Sequence, residues 1–231
     1  LDGLSLIGAH ASSEAISNIS ITTDSEKETL IKGQEVTIRS KAVSSAVVNA
    51  ISFYVGVAAA KSDPQSMINI SGGGLASIIA TGGDLRLDNS AEGIINAAAK
   101  SLPTPSGSLA LTVAVGDSSA KSITQTGPNV QLTAENDILI NSELKRDISI
   151  KSTSMVGEAG NISPAIGLTR TDTSVISEIA GSATSGGSIE ITAESSTSTN
   201  RTIATADVGG AVPGIVTMIT GAPGALKSAI T

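Results

Sequence analysis

The chain is short of the residues from which most cores and most catalytic sites are built. It has 231 residues but one Phe, one Tyr, no Trp, no Cys and one His, although 40% of its residues are hydrophobic. Without cysteine there is no disulfide framework and no thiolate metal site. With only two large aromatic residues, Val, Ile, Leu and Ala must fill the core, which suits a thin core of stacked, repeated layers.

The net charge argues against a nucleic-acid-binding protein, and the length of the hydrophobic runs argues against a membrane-spanning helix. The formal net charge is −7, so no basic surface is available to bind nucleic acid. No apolar run reaches the ~18 residues that a membrane span needs. The first residues carry neither a basic segment nor an apolar segment typical of a signal peptide, and we expect the chain to be part of a longer protein.

Glycine-led segments recur along the chain. Each has a glycine, then an apolar, polar, apolar alternation that places two aliphatic side chains on one face of a strand. The aliphatic pairs are Val36 and Ile38, Leu85 and Leu87, Val130 and Leu132, and Ile189 and Ile191. Their first members lie at positions 36, 85, 130 and 189, which gives steps of 49, 45 and 59 residues.

A second family of segments alternates with the first. Its members begin with an aliphatic strand that ends near Gly or Ala, continue with a polar patch, and finish with another aliphatic pair. They start at Leu4, Ile51, Leu109, Ile162 and Val212. The alternation predicts an all-β fold, a parallel β-helix (β-solenoid) in which residues 1–231 form a single segment of a longer repeat protein.

The repeat length sets the expected number of coils. A step of about 50 residues exceeds the roughly 20 to 30 residues of a typical solenoid repeat, so we expect about two coils per step and an elongated rod of about ten coils. The long third step predicts an inserted strand pair over residues 137–154. Residues 100–108, which contain Pro103 and Pro105, predict a loop or protrusion, and Pro64 predicts a turn. Residues 92–100 are the one stretch where we expect a helical turn.

Segments such as "NVQLTAEND", "SIEITAESS" and "YVGVAAAKSD" resemble the repeats of giant bacterial exoproteins, the filamentous-haemagglutinin-like adhesins. The resemblance implies a right-handed parallel β-helix or related solenoid that is exported to the bacterial cell surface or secreted. It further implies a role in adhesion, aggregation or as a stalk. Its expected partners are flanking repeats, end-to-end neighbours, and glycans or proteins on host or neighbouring cells. Calcium-binding nonapeptide repeats are absent from the sequence.

Candidate chemical sites are few. The single histidine, His10, lies beside Ser12, Ser13 and Glu14, but adjacency gives no catalytic geometry. Asp84, Arg86 and Asp88 alternate on one strand face, where a β-helix polysaccharide-active enzyme or a glycan-binding module would place them. The sister segments repeat no acidic pair at that position, so a solvated face is the simpler interpretation.

Two weaker patterns remain. Threonine-bearing strands suggest an ice-binding face, but the threonines do not recur at one register. Glycosylation sequons begin at Asn18, Asn69, Asn161 and Asn200, a number expected by chance in a chain rich in Ser, Thr and Asn. We therefore expect a structural or adhesive segment that is not an enzyme, without catalytic residue, cofactor or metal. The alternatives are the polysaccharide enzyme or glycan-binding module, and a subunit of an extracellular filament.

Overall fold

A computed structural model describes residues 6–103, 109–156, 163–208, 216–220 and 225–230. The described residues form fourteen β-strands and no helix. The strands are β1 (Leu6–Thr23), β2 (Thr29–Gly33), β3 (Val36–Ser52), β4 (Val55–Gly72), β5 (Ala76–Ala80), β6 (Leu85–Ser101), β7 (Leu111–Thr126), β8 (Val130–Ala134), β9 (Ile138–Val156), β10 (Ala165–Ile179), β11 (Ser182–Ser185), β12 (Ile189–Val208), β13 (Val216–Thr220) and β14 (Ala225–Ile230).

The strands stack into three sheets in which every neighbouring pair is parallel. The first long sheet has the order β1, β4, β7, β10, and both β13 and β14 pair with β10. The short sheet is β2, β5, β8, β11, and the second long sheet is β3, β6, β9, β12. One coil is therefore a long strand, a short strand and a second long strand. This arrangement confirms the predicted parallel β-helix.

One step of the sequence repeat forms one coil, so the prediction of two coils per step is wrong. Val36 pairs with Leu85, Leu85 with Ile138, and Ile138 with Ile189, at steps of 49, 53 and 51 residues. Val130 belongs to the short sheet, where it pairs with Ala76. The uneven steps of the sequence alignment arose because it placed this short-sheet strand among strands of the second long sheet.

Long strands also give the described segment a different shape from the expected rod. A strand of 17 residues such as β3 spans about 55 Å at ~3.3 Å per residue. Four coils spaced ~4.8 Å apart rise only about 15 Å from the first to the last. The described coils are thus wider than their stack is tall, and a rod would require many more of them.

Three local predictions are corrected or only partly covered by the structure. Residues 137–154 are no insertion, because β9 is one continuous strand equivalent to β6. Residues 92–100 are extended within β6 rather than helical. Residues 100–108 overlap the connection between β6 and β7, but 104–108 lie outside the described residues.

Pro64 lies inside β4 and not in a turn. It has no N–H to donate to a ladder, and the pairing of β4 with β7 is interrupted there, between Ser62 and Gln65. The neighbouring Asp63 carboxylate accepts the Ser119 N–H at 3.1 Å. The Asp63 side chain therefore satisfies an N–H of β7 at the point where the backbone ladder is interrupted.

The interior is wide beside the short sheet and narrow between the two long sheets. Large aliphatic side chains fill the wide end, and they are Ile68, Ile70, Ile78, Leu85, Leu87, Leu132, Ile138 and Ile140, all at most 1% exposed. Gly72 ends β4 at this corner with φ of 147°, a conformation that L side chains avoid. Farther along the long strands many inward residues are Ala and Ser, with larger side chains such as Ile95, Leu144 and Ile148 packed among them.

Buried serines join the two long sheets across the narrow region. The Ser44 Oγ donates to the Ser13 carbonyl at 2.7 Å, and the Ser62 Oγ donates to the Ser44 carbonyl at 3.0 Å. The Ser40 and Ser66 hydroxyls lie 2.8 Å apart. A serine side chain can reach the opposite backbone only if the walls lie closer than the ~10 Å typical of packed sheets. This closeness explains how a chain with only one Phe and one Tyr fills its interior.

Candidate functional site

The outer face of the second long sheet carries the residues that the sequence singled out. Arg86 and Asp88 point outward from β6, and Asp84 directly precedes that strand. The Arg86 Nη2 lies 2.7 Å from the Asp84 Oδ2. The Arg39 Nη2 of the preceding coil lies 3.0 Å from the Asp88 Oδ2. The structure thus brings the three predicted residues together, and every one of them is already in an ion pair.

Asp84 belongs to a column of residues at the corner that precedes the second long sheet. Its equivalents in the next two coils are Asp137 and Ser188, because each precedes a paired first strand residue. The Asp84 Oδ1 accepts the Asp137 N–H at 3.3 Å. The Asp137 Oδ1 accepts the Ser188 N–H at 2.7 Å and the Ser188 hydroxyl at 2.9 Å. These carboxylates join one coil to the next.

Hydrogen bonding in this column changes the acidity of Asp137. The bonds from the backbone N–H and the hydroxyl of Ser188 favour the charged carboxylate and lower the pKa of Asp137. Sequence reasoning assigned Asp137 to an insertion and missed its role. The signal was present, since both "DLRL" from Asp84 and "DILI" from Asp137 place an aspartate just before an aliphatic pair.

More ion pairs continue across the same outer face. Lys41 lies 3.8 Å from Glu92 of the next coil, and Lys145 lies 2.8 Å from Glu143 on its own strand. The hydrogen bond with Glu143 raises the pKa of Lys145. Exposed pairs of this kind contribute little to stability, because solvent screens them. The network therefore sets the surface chemistry of the sheet more than its stability.

A shallow acidic groove lies beside this network. It has a volume of about 310 Å³ and is lined by Asp88, Leu139, Ile140, Asn141, Glu190, Thr192 and Glu194. Its carboxylate, amide and hydroxyl groups can accept or donate hydrogen bonds to a polar ligand. Within the described residues, no group of three or more His, Asp or Glu lies close enough to hold a metal ion.

The outer face of the first long sheet differs from this charged surface. Three consecutive strands place half-buried aliphatic side chains side by side near their starts. The outward-facing residues are Val55, Val57, Val113, Val115, Ile166 and Leu168. A charged band follows, in which Lys61 lies 2.6 Å from Asp63. The hydrogen bond with Asp63 raises the pKa of Lys61.

The remaining predicted residues are scattered. His10 is exposed on β1, opposite Ala59. Asn18 and Asn69 point outward from β1 and β4, whereas Asn200 occupies an inward position of β12 opposite Ile148. Asn161 lies outside the described residues. His10 therefore lies on the first long sheet, apart from Asp84, Arg86 and Asp88 at the second long sheet.

Comparison of the chain with family models, with curated proteins and with solved structures gives no match. The described part of the chain contains no helix long and apolar enough to cross a membrane.

Proposed function

We propose that this chain is a structural and adhesive segment of an exported bacterial repeat protein, which extends and displays binding surfaces outside the cell. The observation that carries the proposal is the continuous register of three parallel sheets, in which each step of about 50 residues adds one coil. A fold of this kind lengthens simply by adding repeats, because each coil contacts only its neighbours.

Two features of the described coils support a display role. The long strands create two broad outer faces, one with aliphatic rows and one with an ion-pair network. The interior is built from coil-to-coil contacts, and its polar groups bond mainly to one another. With the exception of Arg146, the charged side chains of the described coils lie at outward positions, where they can differ between repeats without disturbing the stack. Flanking repeats and cell-surface glycans or proteins are the partners that this role implies.

Glycan binding is the second candidate, and the acidic groove favours it. Asp88, Asn141, Glu190 and Thr192 line the groove with groups that can bond sugar hydroxyls. The carboxylates of Asp84 and Asp88 are bonded to Arg86 and Arg39. In a polysaccharide enzyme they would have to leave these partners to act on substrate.

A turnover assay separates the structural proposal from the enzyme alternative. Purified chain is incubated with neutral and acidic polysaccharides, and new reducing ends and unsaturated uronates are measured. We expect no turnover above that of Asp84→Asn and Asp88→Asn variants. Turnover by the wild type that either substitution abolishes would contradict the proposal.

A binding assay tests the adhesive part of the proposal. Fluorescent chain is applied to bacterial and epithelial cells and to a glycan array, with Glu190→Lys as the variant in the acidic groove. Gln65→Lys, on the outer face of the other long sheet, is the matched control. We expect saturable binding that Glu190→Lys reduces and Gln65→Lys retains. Absence of saturable binding on every surface would remove adhesion and leave only extension.

A further inference from the structure

Arg146 is the one charged residue, among those described, whose side chain is buried in the coil interior. It lies at an inward position of β9 between Leu144 and Ile148 and is 7% exposed. At the equivalent positions of the other coils stand Ser44, Gly93 and Thr197, which are uncharged. The guanidinium is therefore a feature of the third coil alone and not part of a repeated ladder.

The position of Arg146 in the lumen follows from strand register. Ser13, Ser62 and Ser118 occupy one inward rank of the first long sheet. Ser62 and Ser44 are hydrogen-bonded across the lumen at 3.0 Å, so this rank faces the one that contains Arg146. Ser118 and Arg146 both belong to the third coil, and their ranks lie on facing walls.

Both of these residues have a buried polar atom that lacks a protein partner. The Arg146 Nη2 donates to the Thr197 hydroxyl at 3.2 Å, but the Arg146 Nε has no hydrogen-bond partner. The Ser118 Oγ is also unpaired, and Ser118 is 1% exposed. Among the described residues Arg146 forms no ion pair. A buried, unpaired guanidinium is costly, and it does not escape the cost by losing its proton.

The Arg146 Nε and the Ser118 hydroxyl both lack a protein acceptor. An arginine N–H and a serine O–H both donate, and a small anion can accept from both while it balances the guanidinium charge. Burial lowers the pKa of Arg146, which is a further sign that no carboxylate compensates its charge. The narrow lumen, where serine hydroxyls reach the opposite wall, suits an ion no larger than a halide.

The wall beside Arg146 is also irregular. β12 carries a bulge where the register with β9 shifts between Thr197 and Thr199. The Ser198 hydroxyl donates to the Arg146 carbonyl at 3.0 Å. A pocket of about 480 Å³ at this bulge is lined by Arg146 and Ser198 together with Glu92, Lys145 and Asp147, which point outward, so the pocket opens on the outer face of the sheet. Bulges interrupt a ladder and redirect side chains, so the regular wall is broken next to the guanidinium.

We propose that Arg146 and Ser118 form a binding site for a small inorganic anion, of the size of chloride, inside the third coil. The anion accepts from the Arg146 Nε and the Ser118 hydroxyl and stabilises the stack around the bulge. This inference is independent of adhesion or display.

Chloride-dependent unfolding tests the proposal. The urea midpoint of the full chain is measured in sodium chloride and in sodium gluconate at equal ionic strength, because a ligand that binds only the folded state raises the midpoint with its concentration. We expect the wild-type midpoint to rise with chloride and the Arg146→Gln midpoint to be independent of it. Ser118→Ala should weaken the affinity for chloride, obtained from the rise of the midpoint with chloride concentration, about tenfold, since a hydrogen bond to a charged group contributes about 1.5 kcal/mol.

Matched variants exclude general effects of salt and of mutation. Arg39→Gln removes an exposed guanidinium from the same sheet, and Ser122→Ala removes a buried hydroxyl that already donates to the Asn89 carbonyl. Both should keep the wild-type response to chloride. A wild-type midpoint that does not respond, or an Arg146→Gln midpoint that responds equally, would overturn the proposal.

Crystals grown in sodium bromide give a direct test that needs no variant. We expect an anomalous peak within hydrogen-bond distance of the Arg146 Nε and the Ser118 Oγ. Weak density without anomalous signal there would identify an ordered water and overturn the anion site. A chloride response without a bromide peak at this position would assign the response to salt in general and would also overturn it.

Discussion

The wide and narrow regions of the coil interior are filled by side chains of different size. Beside the short sheet, three walls meet and large residues such as Leu87 and Ile140 fill the space. Between the two long sheets, inward positions are held by residues such as Ala58, Ala97 and Ser62, each fully buried. Between the long sheets, large side chains such as Ile95 and Ile150 pack against alanines, so small residues there make room for the larger ones.

The difference also concerns polarity. The wide end is stabilised by burial of aliphatic surface, at about 25 cal/mol per Å². In the narrow region, buried hydroxyls are tolerated because a serine such as Ser44 reaches a carbonyl of the opposite wall. A polar or charged side chain in the wide end and a large side chain in the narrow region should therefore each lower the free energy of unfolding, for different reasons.

The largest expected effect is a charge placed in the wide end. Val130→Asp buries a carboxylate where the wild-type side chain is 2% exposed. We expect loss of several kcal/mol or of cooperative folding, measured by urea unfolding and circular dichroism. Gln131→Asp, an exposed neighbour on the same strand, should fold normally. Similar destabilisation by both variants would contradict the assignment of strand faces.

Overpacking the narrow region comes next in size. Ala58 is 0% exposed between the long sheets, and Ala58→Leu should cost about 1 to 3 kcal/mol because the walls must separate. The adjacent Ala59 points outward, so Ala59→Leu should change the free energy of unfolding by less than about 0.5 kcal/mol. Urea midpoints measure both. A tolerated Ala58→Leu would show that the walls are not closely packed.

Removal of a single cross-wall hydroxyl should have a smaller effect. Ser62 donates to the backbone of Ser44 at 3.0 Å, and Ser62→Ala should cost about 1 kcal/mol in the free energy of unfolding. Ser45→Ala, at an exposed position of β3, is the control and should be neutral. If Ser62→Ala instead proves stabilising, the buried hydroxyls do not hold the walls together.

The smallest effect concerns pH. The pKa of Asp137 is lowered in the folded chain by its bonds from Ser188, so its contribution is complete above the unfolded-state value of about 3.9. That contribution is lost as pH falls through the lower folded-state pKa. We expect Asp137→Asn to flatten this part of the acid limb in urea midpoints measured from pH 2 to 6. An unchanged acid limb in the variant would remove Asp137 from the coil-to-coil column.

Strand faces were predictable from sequence because alternation is visible where residues are aliphatic. Leu85 and Leu87 were placed inward correctly, and both are 0% exposed. Strand length was not predictable, because inward serines such as Ser40 and Ser44 look like solvent-facing or turn residues. Their bonds form only across the folded lumen. The expected number of coils was too large because it assumed roughly 20 to 30 residues per coil, whereas each coil of this chain contains two long strands.

The same reasoning explains what was found and missed at the candidate site. Asp84, Arg86 and Asp88 were recognisable as outward residues by period two, but their ion-pair partners required the register between coils. Arg39 lies 49 residues before Asp88 and directly opposite it. Arg146 could not be recognised as buried, because its inward orientation depends on the full length of β9.

The most direct test of the account is a cross-link between successive coils. Val47 and Asn96 are exposed register partners 49 residues apart, and neighbouring strands lie ~4.8 Å apart, within disulfide range. In a chain without cysteine, Val47→Cys with Asn96→Cys should oxidise to an intramolecular disulfide. Val47→Cys with Ser149→Cys, two coils apart, should remain reduced. A Val47/Asn96 pair that does not cross-link would contradict one coil per 50-residue step.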